Sequence, residues 1–297
     1  MTISRADLED AYLEACTLDV EAFKPGNVSV YASGHDMTAE DFYRSARASA
    51  PHVCDSTLSL GEKVYRAVEA TREAVGCNTN LGIVLLAAPL IEAVQSLSEG
   101  GLRERLRAVI AATSRTDADW VYRAIRLAEP GGLGKVGRED VHRPPSVTLL
   151  EAMELAKDYD RIAFNYTFAY RDIYELAIPG YHDAVYRWGS ERLATVAVFA
   201  ALLRRIPDSH IERKFGRRYT GIITTRMAYL ERELSQSADS ERILAEIGKI
   251  DEEFKAAGIN PGTTADLTVA TLLAVRLEKL TSLSRSRMIG AGGNWVP

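Results

Sequence analysis

LGIVLLAAPLIEAV, residues 81–94, decides how the rest of this chain is read. Apolar residues fill it from end to end, and Glu92 is its one charge. A helix that is apolar on every side has to be enclosed by other elements. It is also too short to cross a bilayer, which takes about 20 apolar residues. LATVAVFAALL (193–203) falls short in the same way. The stretch therefore predicts the central helix of a protein that does not span a membrane. Asn78, just upstream, is placed to cap it.

Helical spacing extends outward from this centre. Leu8, Ala11, Tyr12, Ala15 and Leu18 recur at i, i+3, i+4 and i+7, as do Val64, Ala67, Val68, Thr71 and Val75. Thr38 with Asp41, Thr116 with Asp119, and Thr148 with Glu151 read as helix starts of the capping-box type. Long helical patterns fill 182–206, 219–235, 239–257 and 264–284. Alternating strand patterns closed by Asn-Gly or Asp-Gly turns are missing. The expectation is an all-α protein: residues 1–288 as a single large helical domain, or two closely packed helical halves, and 289–297 as a flexible C-terminal tail.

With 297 residues, 46% of them hydrophobic, the chain can bury a sizeable core. Its net charge of −5 is spread without blocks, which argues against a nucleic-acid partner. The arginines of RRIPDSHIERKFGRR (204–218) read as a solvated helix end. Cys16, Cys54 and Cys77 share no metal-ligand spacing, and an odd count suits a reducing compartment. MTISRADLED has neither the basic nor the apolar region of a secretory signal, so the expectation is a cytoplasmic protein without a membrane partner.

The chemistry lies in the loops. KPGN (24–27), SGHD (33–36), GCNTNLG (76–82), PGGLGK (130–135), DSHIERK (208–214) and NPGTTADL (260–267) put glycine or short turns beside polar residues. Glycine lets backbone approach an anion, and a helix N-terminus supplies free N–H groups. Asn78-Thr79 and Gly262-Thr263-Thr264 each precede a helix in that manner. The pattern indicates a polyphosphate or nucleotide site among interhelical loops. Asp36, Asp140, Asp208 and Asp266 offer oxygen ligands for Mg²⁺, while Lys24, Lys135 and Lys214 offer charge for phosphate. His35 can move a proton near neutral pH. His210, on a helix, reads as a surface or core residue. Gly132, Gly134 and Gly137 match dinucleotide-binding spacing by count, but a helix rather than a strand precedes them, so the match is dismissed.

Taken in order, KPGNV, GHDM, ATREAVGCNTNLGIVLLAAPL, DSHIERKFG and NPGTTADLTVA resemble the triphosphoribosyl-dephospho-CoA synthase family over about residues 10–280. The resemblance implies an all-helical transferase that takes ATP, releases adenine and attaches the triphosphoribosyl group to a hydroxyl of 3′-dephospho-CoA. Such displacement passes through an oxocarbenium-like state that carboxylates stabilise. It implies His35, Asp36 and Asp266 as catalytic groups, and Asp36, Asp208 and Asp266 as Mg²⁺ ligands. Lys24, Asn78, Thr79, Gly262 and Thr263 would hold the triphosphate, with Gly26, Asn27, Asn80, Gly82, Lys214 and Asn260 completing the nucleotide site. The partners implied are ATP and a hydroxyl acceptor; a homodimer is left open.

Three positions depart from the family's usual pattern. Asn80-Leu81 stands where the synthases usually have His-Lys, removing a cation; the His35-Asp36 turn is one residue shorter; and Phe215 replaces a common histidine. These leave the acceptor open, with a ribitol-bearing methanopterin-type precursor as one alternative to dephospho-CoA. Tyr159, Tyr166, Phe168, Tyr170 and Tyr174 are candidates to stack on such a ring, or to pack the core. Two other readings are a non-catalytic nucleotide-binding relative and a hydrolase that uses water as acceptor.

Overall fold

A computed structural model describes residues 3–96, 98–130, 139–236 and 239–291, with side chains described up to 284. The helices in chain order are α1 (Arg5–Glu21), α2 (Ala39–Val53), α3 (Leu60–Val75), α4 (Leu81–Gln95), α5 (Leu102–Ala111), α6 (Arg115–Ala128), α7 (Leu149–Ala156), α8 (Arg161–Thr167), α9 (Ile178–Trp188), α10 (Glu191–Arg205), α11 (Ser209–Phe215), α12 (Thr220–Gln236), α13 (Ser240–Ala256) and α14 (Gly262–Ala291). A π-helical turn, Ile173–Ala177, leads into α9. No strand occurs among the described residues. None of these helices is long and apolar enough to cross a membrane.

The central position expected for α4 holds. Its residues from Leu81 to Ile91 are all buried, and it packs against α2, α3, α5 and α14. Pro89 lies inside it and has no N–H to give the carbonyl of Leu85. Tyr166 supplies the missing donor: its hydroxyl donates to Leu85 O at 2.7 Å, and Tyr170 donates to Leu86 O at 2.8 Å. Both tyrosines are fully buried. They belong to the core and stack on no ligand. Phe168 is partly exposed on another face, beside Arg107 and Arg171.

Most helix starts follow the sequence signals. Asp41 Oδ2 accepts from Thr38 N at 2.8 Å, and Thr148 and Glu151 cap each other. The start expected at Thr116 lies two residues earlier, where Ser114 and Asp117 form the reciprocal pair. The pattern read as continuous over 182–206 is two helices: Gly189 takes the left-handed conformation (φ 60°) that ends α9, and Ser190 caps α10. α14 runs on through 289–291; the rest of the expected tail, with Trp295, lies outside the described residues, as do Lys135 and the Gly132–Gly137 motif.

Two clusters of buried side chains form the interior. The larger gathers α1–α10 and α14 around α4, and the smaller joins α10, α11, α12 and α13. α10 serves both, Val198 and Leu202 facing one and Phe199 and Leu203 the other. All three cysteines are free.

Candidate active site

Elements from both ends and the middle of the chain meet around one cavity of about 400 Å³. The N-termini of α4 and α14 enter it from two directions, α11 and the 27–37 loop close its polar end, and α6, α7 and α8 form an apolar wall. The α4 end is fixed by side chains behind it. Asn78 Oδ1 accepts from Leu81 N at 3.2 Å, and Asn80 Nδ2 donates to Thr71 Oγ1 at 3.0 Å and Ser49 Oγ at 3.2 Å. At the α14 end, Asn260 Oδ1 accepts from Asn27 Nδ2 at 3.2 Å, so the first and last motifs of the chain touch.

The two helix ends approach so closely that position 82 has room only for glycine. A Cβ on Gly82 would lie 2.0 Å from Asp266 Oδ2 and 2.9 Å from Ile162 Cδ1. Asp266 thus rests against the first turn of α4, on the cavity wall. It makes no hydrogen bond or salt bridge among the described residues. Burial, then the charges of Asp208 and Asp19, push its pKa well above the usual carboxylate range. A carboxyl so placed retains its proton toward neutral pH and can give it up to a leaving group.

Two histidines share the polar end. His35 Nε2 lies 2.9 Å from Gly26 O. A carbonyl only accepts, so Nε2 carries the hydrogen, and Nδ1 keeps a lone pair when the ring is neutral. His35 occupies a left-handed backbone conformation (φ 55°), followed by Asp36 (φ 61°), which costs energy in a non-glycine residue. His210 also lines the cavity. Burial and the cations Arg213 and Lys214 lower its pKa to about 4, so its imidazole is neutral at physiological pH.

The expected site residues divide between the cavity and its supports. Asn27 and His35 come to the wall from the first loops; Asn78, Thr79, Asn80 and Gly82 from the second; Asn260, Gly262, Thr263 and Asp266 from the last. Five others stand elsewhere. Lys24 is fully buried behind the wall, paired with Asp19 at 3.1 Å and also bonded to Asp19 O, so it reaches no ligand in the cavity. Gly26 is a turn residue (φ 80°) whose N–H donates to Asp251 Oδ1 at 2.8 Å. Asp208 spends both oxygens on the two helix starts: Oδ1 accepts from His210 N and Ile211 N, Oδ2 from Thr264 N and Thr264 Oγ1. No lone pair facing a ligand is left for a metal. Asp36 is exposed and apart from the cavity, and Lys214 is exposed with its ammonium over the Phe215 ring.

The structure adds residues that the loops did not announce. Asp19 lines the cavity from α1, is 6% exposed, and its Oδ1 has no hydrogen-bond partner. Its position continues the apolar stripe of α1, one turn beyond Ala15; a carboxylate on a buried stripe, five residues before a lysine, was the available signal. His210 enters because α11 is tethered to α14, with His210 N donating to Thr263 Oγ1 at 3.2 Å. Arg213, bound to Asp160 at 2.8 Å, and the apolar Phe42 also line the cavity. Among the described residues no three His, Cys, Asp or Glu side chains form a ready metal cluster.

Fold and cavity together describe an all-α protein with a carboxylate- and histidine-lined cavity between helix N-termini. The model of the CitG family, ATP:dephospho-CoA triphosphoribosyl transferase, matches residues 5–285, and the chain belongs to that family. It is a transferase of the pentosyltransferase class, in a family of coenzyme biosynthesis. A crystal structure from Archaeoglobus fulgidus, designated a triphosphoribosyl-dephospho-CoA synthase, is 26% identical with a TM-score of 0.58, covering 78% of this chain and 96% of that one. Among curated proteins none matches.

Proposed function

We propose that this protein is an ATP-dependent (triphospho)ribosyltransferase. Adenine is displaced from ribose C1, and the ribose phosphate passes to a hydroxyl acceptor, which for the family is 3′-dephospho-CoA. One observation carries the reading: loops some 240 residues apart in sequence, Asn27 to Asp266, converge on one cavity whose Asp266 makes no hydrogen bond or salt bridge among the described residues.

Each group has a task. The N-termini of α4 and α14 present backbone N–H groups and favourable dipoles to phosphate oxygens. Asp266, holding its proton, delivers it to the departing adenine, and the carboxylate left behind stabilises the positive charge on ribose. His35, with Nε2–H committed to Gly26, takes the acceptor's proton on Nδ1. Asp19 is suited to hold Mg²⁺ that accompanies the triphosphate, since Mg²⁺ takes one or two carboxylates plus phosphate oxygens and Asp19 Oδ1 lacks a partner. When bound, that ion neutralises phosphate charge.

The test is chromatography of free adenine after incubation with ATP and Mg²⁺, with and without dephospho-CoA or a cell extract as acceptor source. Acceptor-dependent adenine supports transfer. Acceptor-independent adenine indicates hydrolysis, and its absence throughout refutes the reading.

A further inference from the structure

A second cavity, also about 400 Å³, shares no lining residue with the first. It lies between α5, α7, the end of α8 and the turn that leads into the π-helical segment. Ile110, Leu150 and Tyr166 give it an apolar wall, and Phe168 stands in it with 40% of its surface exposed. An apolar recess with a few convergent polar groups is the usual form of a small-molecule site.

The polar groups here are cationic. Arg103, Arg107 and Arg171 line the cavity together with a single carboxylate, Glu175. That carboxylate is shared: Oε1 accepts from Arg103 Nη2 at 2.9 Å, and Oε2 from Arg171 Nε at 3.1 Å. Arg103 Nε also donates to Ala169 O at 3.1 Å, and its guanidinium lies over the Tyr174 ring. Arg107 is exposed and makes no hydrogen bond or ion pair among the described residues. Every aspartate and glutamate of the chain belongs to the described residues, so no further carboxylate side chain remains to neutralise the cluster.

We propose that this second cavity binds a phosphate monoester joined to a flat ring, in its simplest form a nucleoside monophosphate. The phosphate lies between Arg107 and Arg171. Both Nη groups of Arg171 and the whole guanidinium of Arg107 are uncommitted among the described residues, and a guanidinium meets phosphate through paired N–H···O bonds. Three arginines against one glutamate leave a surplus of two positive charges, which a monoester dianion balances. Glu175 holds Arg103 and Arg171 in place before the ligand arrives, which lowers the ordering that binding costs. The ring of the ligand covers Phe168, since base-on-aromatic stacking is favourable for any base. Nothing in this site depends on the transfer reading above.

Calorimetric titration of the purified full-length protein with UMP and GMP, their nucleosides and inorganic phosphate tests the proposal. At least one mononucleotide should bind about tenfold or more tightly than both its nucleoside and inorganic phosphate. Arg107→Glu, at an exposed position, should weaken that mononucleotide by about tenfold or more while Tm and ATP-dependent adenine release stay unchanged. Phe168→Ala should weaken the mononucleotide and leave inorganic phosphate unaffected. Amide hydrogen exchange locates the ligand: it should slow over 103–111 and 167–175, and not over 78–83 and 262–266 at the first cavity. Mononucleotides binding no more tightly than inorganic phosphate, binding unchanged in Arg107→Glu, or slowed exchange confined to the first cavity overturns the proposal. Adenine absent with every acceptor sinks transfer alone, because the mononucleotide titrations still decide the second cavity.

Discussion

Lys24 tests whether the KPG turn binds phosphate or builds the wall. Its ammonium is fully buried and 3.1 Å from Asp19 Oδ2, and Asp19 Oδ1 has no other partner. Lys24→Met leaves a buried carboxylate uncompensated, a change that typically costs about 3–5 kcal/mol. At about 2–4 °C per kcal/mol for a chain of this size, Tm should fall by roughly 10 °C. Burial already raises the pKa of Asp19, with Lys24 opposing it. Without the lysine, the folded state gains a proton that the unfolded chain, with its ordinary carboxylate, does not hold near neutral pH. A carboxyl raised in the folded state makes stability decline as pH rises, so the deficit should be larger at pH 8 than at pH 5. Adding Asp19→Asn should recover a large part of the lost stability, since the double variant buries no charge. Thermal melts of wild type, single and double variants at both pH values measure this. A Lys24→Met protein with unchanged Tm and a raised KM for ATP would refute the reasoning and restore lysine as a phosphate ligand.

Three further outcomes follow from particular contacts. Gly82→Ala should leave the melting temperature within a few degrees, because alanine favours a helix by up to ~1 kcal/mol, yet lower turnover by about 100-fold as Asp266 is pushed aside; unchanged turnover would contradict the placement of Asp266. Tyr166→Phe should cost about 1–3 kcal/mol in urea unfolding, because Pro89 leaves Leu85 O with no other donor; Tyr174→Phe, whose hydroxyl has no partner, serves as the near-neutral control. His210, lowered to about 4 in the folded state, stays neutral where the unfolded chain protonates; its share of stability is complete above pH 6.5 and declines as pH falls toward 4. His210→Gln should flatten the wild-type loss of urea resistance between pH 7 and pH 5 by about 1 kcal/mol, discounted for its partial exposure; parallel pH profiles would contradict a buried neutral imidazole.

The fold was legible where burial dictates pattern. The unbroken apolar run of α4 could only be central, and Thr38–Asp41 and Thr148–Glu151 start helices through contacts three residues apart. Errors came where one local signal has a near rival. Thr116–Asp119 and Ser114–Asp117 are equivalent on paper, and the latter wins because Asp117 Oδ1 also accepts from Gly61 N of α3 at 2.9 Å. Glycine-rich loops led to the cavity because close backbone approach, as at Gly82, needs glycine. Roles within those loops were less legible. Lys24 and Asp208 carry charges of the right kind, but Lys24 is consumed by Asp19 behind the wall and Asp208 by the junction with α14, 56 residues on. Asp19 and His210 were missed for the converse reason: each sits on a helix that only tertiary packing turns toward the cavity.

The central claim is that ATP is opened at ribose C1 and its sugar phosphate moved to an acceptor. ATP labelled separately in adenine and in the γ-phosphate, incubated with the protein, Mg²⁺ and cell extract, tests it directly. The account predicts that the adenine label appears as the free base while the phosphate label moves onto a new, larger product, and that Asp266→Asn stops both. Release of the phosphate label alone, with adenine still attached to ribose, would contradict it.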